Sequence, residues 1–131
     1  MRKIGYVVVG FLSVGLGTSS SLAHHSFAAV FDRNTPIEIT GTVSRVEWVN
    51  PHAWIYIDVE AASGDVEEWA FEMGSANHLR RRGWNRNALT VGDVVTVVGS
   101  RARDGTMTGA VRTVTLASTG ESLFGGQDES R

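Results

Sequence analysis

Between Ala53 and Val59 every second residue is apolar. Ala53, Ile55, Ile57 and Val59 share one side, and Trp54, Tyr56 and Asp58 fill the positions between them. A period of two is the signature of a β-strand with unlike faces, and no helix gathers those residues on one side. The same pattern runs through Ile37, Ile39, Gly41 and Val43, against Glu38, Thr40 and Thr42. Val46 and Trp48 then fall out of step, which predicts one extra residue near Ser44-Arg45 and a bend at Gly41. Trp69, Phe71 and Met73 alternate with Glu68, Ala70 and Glu72 in a third strand. Asn50-Pro51 and Ser63-Gly64-Asp65 supply the turns between these three.

Ser75 is placed to cap a short helix from Asn77 to Arg82, which Gly83 would end. Leu79 is its single strong apolar residue, so this helix is expected to act as a plug or lid. A nearly all-apolar fourth strand follows from Val94 to Gly99, then a hairpin signal at Asp104-Gly105. The fifth strand runs from about Thr106 to Leu116, with a bend at Gly109. Three strands, a short helix and two strands is the element order of the OB-fold. The expected class is therefore all-β with one short helix, a small five-stranded OB-like barrel. An open β-sandwich would satisfy the same alternation.

The N-terminus has a different character. Arg2 and Lys3 precede a glycine-broken apolar run from Ile4 to Leu16, and Ser21-Leu22-Ala23 ends in the small residues that signal peptidase accepts. The run is short for a permanent membrane anchor, which needs about 20 apolar residues. The expected organisation is a signal peptide at 1–23, an extended arm at 24–35 anchored by Phe27 and Phe31, a barrel domain at 36–117 and a loose tail at 118–131. Leu123-Phe124 would dock within that tail. The expected compartment is periplasmic or secreted, with no membrane span after cleavage. Lys3 is the only lysine, so a mature chain cannot use Schiff-base chemistry. The absence of cysteine excludes disulfides, thiolate metal sites and a cysteine nucleophile.

Cleavage after Ala23 would leave His24 as the first residue. A terminal histidine offers its freed amine and its own Nδ1, which close one chelate ring on a metal. A further histidine would complete a three-nitrogen set of the kind that suits Cu(II), and His25 offers a fourth donor. His52, after the proline turn and on the face of Trp54 and Tyr56, is the expected third ligand. His78, on the short helix, is expected to be solvated. The candidate metal ligands are thus His24, His25 and His52, with copper as the candidate metal. A solvated histidine arm with incidental metal affinity is the plainer alternative. A copper oxidase or oxygenase would further need an open coordination position and a substrate surface. The residue pattern supplies neither, so a non-enzymatic binding module is expected.

Arg80, Arg81 and Arg82 with Trp84 and Arg86 form a basic cluster beside an aromatic. Such a cluster suits a phosphate or carboxylate, and with Trp54 and Tyr56 it makes a second candidate ligand-binding set: Trp54, Tyr56, Arg80, Arg81 and Trp84. The alternative is a solvated helix paired with acidic neighbours such as Glu67, Glu68 and Glu72. A net charge of −2 and export both point away from nucleic acid. The expected partner is a periplasmic protein or an anionic envelope ligand. Neither a Gly-x-Ser-x-Gly elbow nor a glycine-rich phosphate loop is present.

His24-His25-Ser26-Phe27, the Asn50-Pro51-His52 turn and Val91-Gly92-Asp93-Val94 together resemble a family of small exported bacterial proteins of unknown function. The likeness extends from His24 to about Leu116. It implies an exported OB-type barrel domain, and it implies no substrate, reaction or cofactor.

Overall fold

The computed structural model describes residues 26–126. The segment expected as a signal peptide, His24, His25 and the last five residues lie outside the described residues. The elements are α1 (Phe27–Val30), β1 (Phe31–Glu47), β2 (Trp54–Glu60), β3 (Val66–Glu72), α2 (Ala76–Arg81), β4 (Val94–Ala102), β5 (Thr108–Leu116) and β6 (Ser122–Phe124). Strand β1 pairs antiparallel with both β2 and β4, and β4 with β5. The antiparallel β2–β3 hairpin and a parallel β3–β5 pairing then close the ring. The circular order β1-β2-β3-β5-β4 with a helix between β3 and β4 is the OB arrangement. Closure leaves those five strands without a free edge, which an open sandwich would expose.

The alternation places the core as expected. Ala53, Ile55 and Ile57 of the β2 segment and Phe71 and Met73 at the end of β3 are fully buried inside the barrel, with Val95, Val97 and Val114 facing them. The register slips between Val43 and Arg45, where the phase change in the sequence called for an extra residue. In α2 the Ser75 hydroxyl accepts a hydrogen bond from the His78 amide at 3.1 Å, and Gly83 ends the helix at φ +94°. Leu79 is completely buried, so α2 is pinned to one end of the barrel.

Three features depart from expectation. Strand β1 begins at Phe31 rather than near Ile37, because Phe31 and Asp32 pair with Ala102 and Arg101 across a break that leaves residues 33–35 outside the ladder. The arm also holds a helical turn, α1, so there are two short helices instead of one. Finally, the tail contributes β6, which pairs with β5 and lays Leu123 against the core.

Together, Phe31, Ala102 and Ala110, with Phe27 and Val30 against them, form a second small apolar cluster separate from the main core. The β4–β5 hairpin fastens α1 to it. Arg103 donates from its backbone to the Val30 carbonyl at 2.8 Å and from Nε to the Ala28 carbonyl at 2.8 Å. Both ends of the described chain are thereby fixed over the same flank of the barrel. No helix among the described residues is long and apolar enough to cross a membrane.

Candidate functional site

Glu72 is the last residue of β3, between Phe71 and Met73, whose side chains fill the barrel. Strand alternation therefore turns Glu72 to the outer face, where a carboxylate would ordinarily meet water. It is nonetheless only 3% exposed. The cover comes from far away in sequence. A cavity of about 290 Å³ opens here, lined by Glu72 together with Phe27 of α1, Arg33 of β1, Ser100 of β4, Arg112 of β5 and Phe124 of β6.

Both cavity arginines come from breaks in strand register. Arg33 lies in the segment that the β1–β4 ladder skips between Asp32 and Pro36. Arg112 is the extra residue of a bulge, because Val98 pairs with Thr113 while Gly99 pairs with Val111. A bulge re-aims the side chain it carries, and such breaks recur beside functional sites. At Gly99 an added Cβ would collide with the Ala110 carbonyl, so the bulge leaves no room for a side chain there.

His52 joins this end through the β2–β3 hairpin. Trp54 pairs with Glu72, and His52 lies two residues before Trp54 on the same face. Its Nδ1 is 3.4 Å from Glu72 Oε1, and the two side chains are 14% and 3% exposed. The strands continue past this pair through a hydrogen bond from the Ala53 amide to the Gly74 carbonyl at 3.1 Å. A Cβ on Gly74 would lie 3.0 Å from His78 Cδ2 and 3.2 Å from the Gly126 carbonyl oxygen. A side chain at position 74 would need the His78 ring and the tail to give by a few tenths of an ångström. His78 is therefore not the solvated residue expected from a helix surface: its ring lies against β3 and Nε2 is buried.

The aromatic residues divide into two groups. Trp54 and Tyr56 stack on the outer face of β2, with ring centroids 6.4 Å apart and planes inclined by 27°. The Arg45 guanidinium lies 3.7 Å from the Tyr56 ring centre, and the Tyr56 hydroxyl donates to Glu47 Oε2 at 3.5 Å. Burial and then the Glu47 charge raise the Tyr56 phenol above its ordinary value, and Arg45 partly opposes them.

Trp84, by contrast, is only 2% exposed, which corrects its assignment as a stacking face beside the arginines. Its indole packs edge-on against Trp48, and Nε1 donates to the Phe124 carbonyl at 2.9 Å. The demand to bury a large ring outweighs the polarity of its neighbours. Arg80 and Arg81 are exposed, and Arg80 donates to Asn77 of its own helix at 2.8 Å. Arg82 lies 4.8 Å from the centre of the Phe124 ring.

Among the described residues no group of three or more His, Asp or Glu side chains is placed to hold a metal ion. Of the histidines expected as ligands, His52 is at the cavity end and His24 and His25 fall outside the described residues. A family model described as a family of unknown function, DUF6152, matches residues 12–112. The chain belongs to this family. The match takes in His24, His25, His52, Glu72 and His78 and ends at Arg112, on the cavity wall. No curated protein matches the chain.

The sequence singles out neither Arg33 nor Arg112, and it marks Phe27 and Glu72 only as an apolar anchor of the arm and an acidic neighbour of the arginine cluster. For Glu72 a signal existed: a hairpin folded about Ser63 sets residue 54 opposite residue 72 and puts the acid on the face of His52. The two arginines gave no comparable signal, since register breaks position them.

Proposed function

We propose that the protein is an exported binding module that takes up a divalent metal, Cu(II) above others. The donors are the amine and imidazole of His24, with His52 and His25. One observation carries the reading. Phe27 lines the same cavity as Glu72, whose carboxylate is 3.4 Å from His52 Nδ1. At no more than about 3.6 Å per residue, His25 lies within roughly 7 Å of Phe27 along the chain. The reading is supported by that short chain separation: His25 is two residues from a side chain lining the cavity that Glu72 also lines. Arg103 supports this by fixing the start of the described chain through its bonds to Ala28 and Val30. Nitrogen donors of this kind favour Cu(II) among the common divalent metals.

The other reading is an interaction domain for a periplasmic protein or anionic envelope ligand. It rests on exposed Arg80 and Arg81 and on the Trp54–Tyr56 stack, without Trp84. Calorimetric titration of Cu(II) into protein beginning at His24, into the same protein with one alanine added before His24, and into His52→Ala tests the proposal. Tight one-to-one binding is expected, abolished by the added residue and weakened by His52→Ala. Equally weak binding to all three would refute it.

A further inference from the structure

We infer that Glu72 is a positioning residue for His52: it holds the imidazole with its proton on Nδ1 and leaves Nε2 as the donor atom of the site. The metal-donor half of this inference rests on the metal reading above, whereas the tautomer half stands on geometry alone.

A carboxylate turned outward from a strand needs no partner when water reaches it, but Glu72 is only 3% exposed. β2 flanks it on one side, through Trp54, and β5 on the other, through Ala110. Its Oε1 is 3.4 Å from His52 Nδ1, close enough to face the ring but longer than a charge-assisted hydrogen bond. Such pairs commonly tighten when a ligand engages the other ring nitrogen. An ionised carboxylate accepts and does not donate, so facing a neutral imidazole it favours the form with the proton on Nδ1 and the lone pair on Nε2. Carboxylate–histidine–metal arrays use this division to fix both ring orientation and tautomer.

The surroundings restrict the ring further. His52 follows the Asn50-Pro51 turn, and its position on the extended hairpin lies across from Gly74. The space above Gly74 is taken by the His78 ring and the Gly126 carbonyl. The ring thus faces Glu72 on the neighbouring strand, and the position across from it is Gly74, over which the His78 ring lies. A terminal histidine that chelates through its amine and its own Nδ1 needs a further imidazole nitrogen presented from outside that ring. Nε2 of an oriented His52 is such a nitrogen.

The experiment is a long-range proton–nitrogen NMR correlation on nitrogen-labelled, metal-free protein beginning at His24. It is recorded at about pH 8, above the ordinary imidazole range, with His52→Ala for assignment. The His52 ring is expected to carry its proton on Nδ1 in the wild type and to move toward the Nε2–H form in Glu72→Ala, which removes the acceptor; Glu72→Gln, whose amide oxygen can still accept from Nδ1, should keep the Nδ1–H form. An Nε2–H form in the wild type overturns the inference without any variant having to fold. An Nδ1–H form that persists in a folded Glu72→Ala overturns it as well. Cu(II) titration of the same samples separates the two claims. Affinity is expected to fall by about 10–100-fold in Glu72→Ala. A tautomer that follows Glu72 in a protein that binds no Cu(II) tightly would uphold the positioning role and remove the metal reading.

Discussion

Leu79→Ala tests whether α2 is a structural plug that also sets one wall of the site. Leu79 is completely buried and packs in the main core, whereas the arginines that follow it on the helix are exposed. The substitution removes three carbon atoms, which at about 0.8 kcal/mol per buried methylene is about 2.4 kcal/mol of transfer free energy. A residual void of roughly 50 Å³ at about 24 cal/mol per Å³ adds about 1 kcal/mol. The expected loss is therefore about 3–4 kcal/mol, a large share of the stability of a small domain. Six helical residues cannot sustain a helix alone, so docking through Leu79 must supply most of its order.

Urea unfolding followed by tryptophan fluorescence measures the loss, provided that the slope against denaturant stays unchanged. Arg81→Ala, on the exposed side of the same helix, is the control and should stay within about 0.5 kcal/mol of the wild type. A local consequence should accompany the global one. His78 precedes Leu79 and lies against Gly74, so an undocked helix should change the His78 ring resonances under conditions where the barrel remains folded. A Leu79→Ala loss below about 1 kcal/mol, with His78 unmoved, would refute the docking argument.

In protein beginning at His24, which lacks Tyr6, Tyr56 is the only tyrosine, so ultraviolet titration reports it alone. Its midpoint should lie above 10.0, move down in Glu47→Gln and move up in Arg45→Ala. A raised phenol pKa keeps the folded chain neutral longer than the unfolded one. Its contribution to stability is then full below about 10 and lost as pH climbs through the folded value. A midpoint at or below 10 would contradict the packing of the ring. Trp84→Phe removes the 2.9 Å bond to the Phe124 carbonyl and should cost about 1–2 kcal/mol. It should also speed amide exchange at Leu123, and unchanged exchange there would mean that β6 is held by other contacts.

Much of the barrel was legible because the strands obey the pattern that burial on one face demands. Ile55, Ile57, Phe71 and Met73 are buried where alternation put them, and the slip near Ser44 is a bulge. Ser75 and Gly83 bound α2 because capping is local chemistry, readable from a few neighbours. Trp84 was misread for the opposite reason. Its neighbours in sequence are polar and charged, yet its place is decided by Trp48 and the Phe124 carbonyl, each distant along the chain. The extra length of β1 was hidden too, since Phe31 and Asp32 reach their partners across residues that join no ladder.

The site follows the same division. Period-two patterning tells which side of a strand a residue occupies, but burial on the outer side depends on what the rest of the chain lays over it. Glu72, Trp54 and Glu47 stand in one row across β3, β2 and β1 on that outer face. Toward one side of the row lie Tyr56 and Arg45, still half open; toward the other lie His52 and the cavity, roofed by Phe27 and Phe124. Nucleic-acid- and saccharide-binding OB-folds use the face around strands two and three. Here that face carries an aromatic–guanidinium ladder at one end and a buried acid with its histidine at the other. A buried carboxylate is a poor device for stability, since apolar replacement of buried charged groups is often neutral or stabilising. Placed where two register breaks converge, the Glu72–His52 pair is better explained by what it orients than by what it holds together.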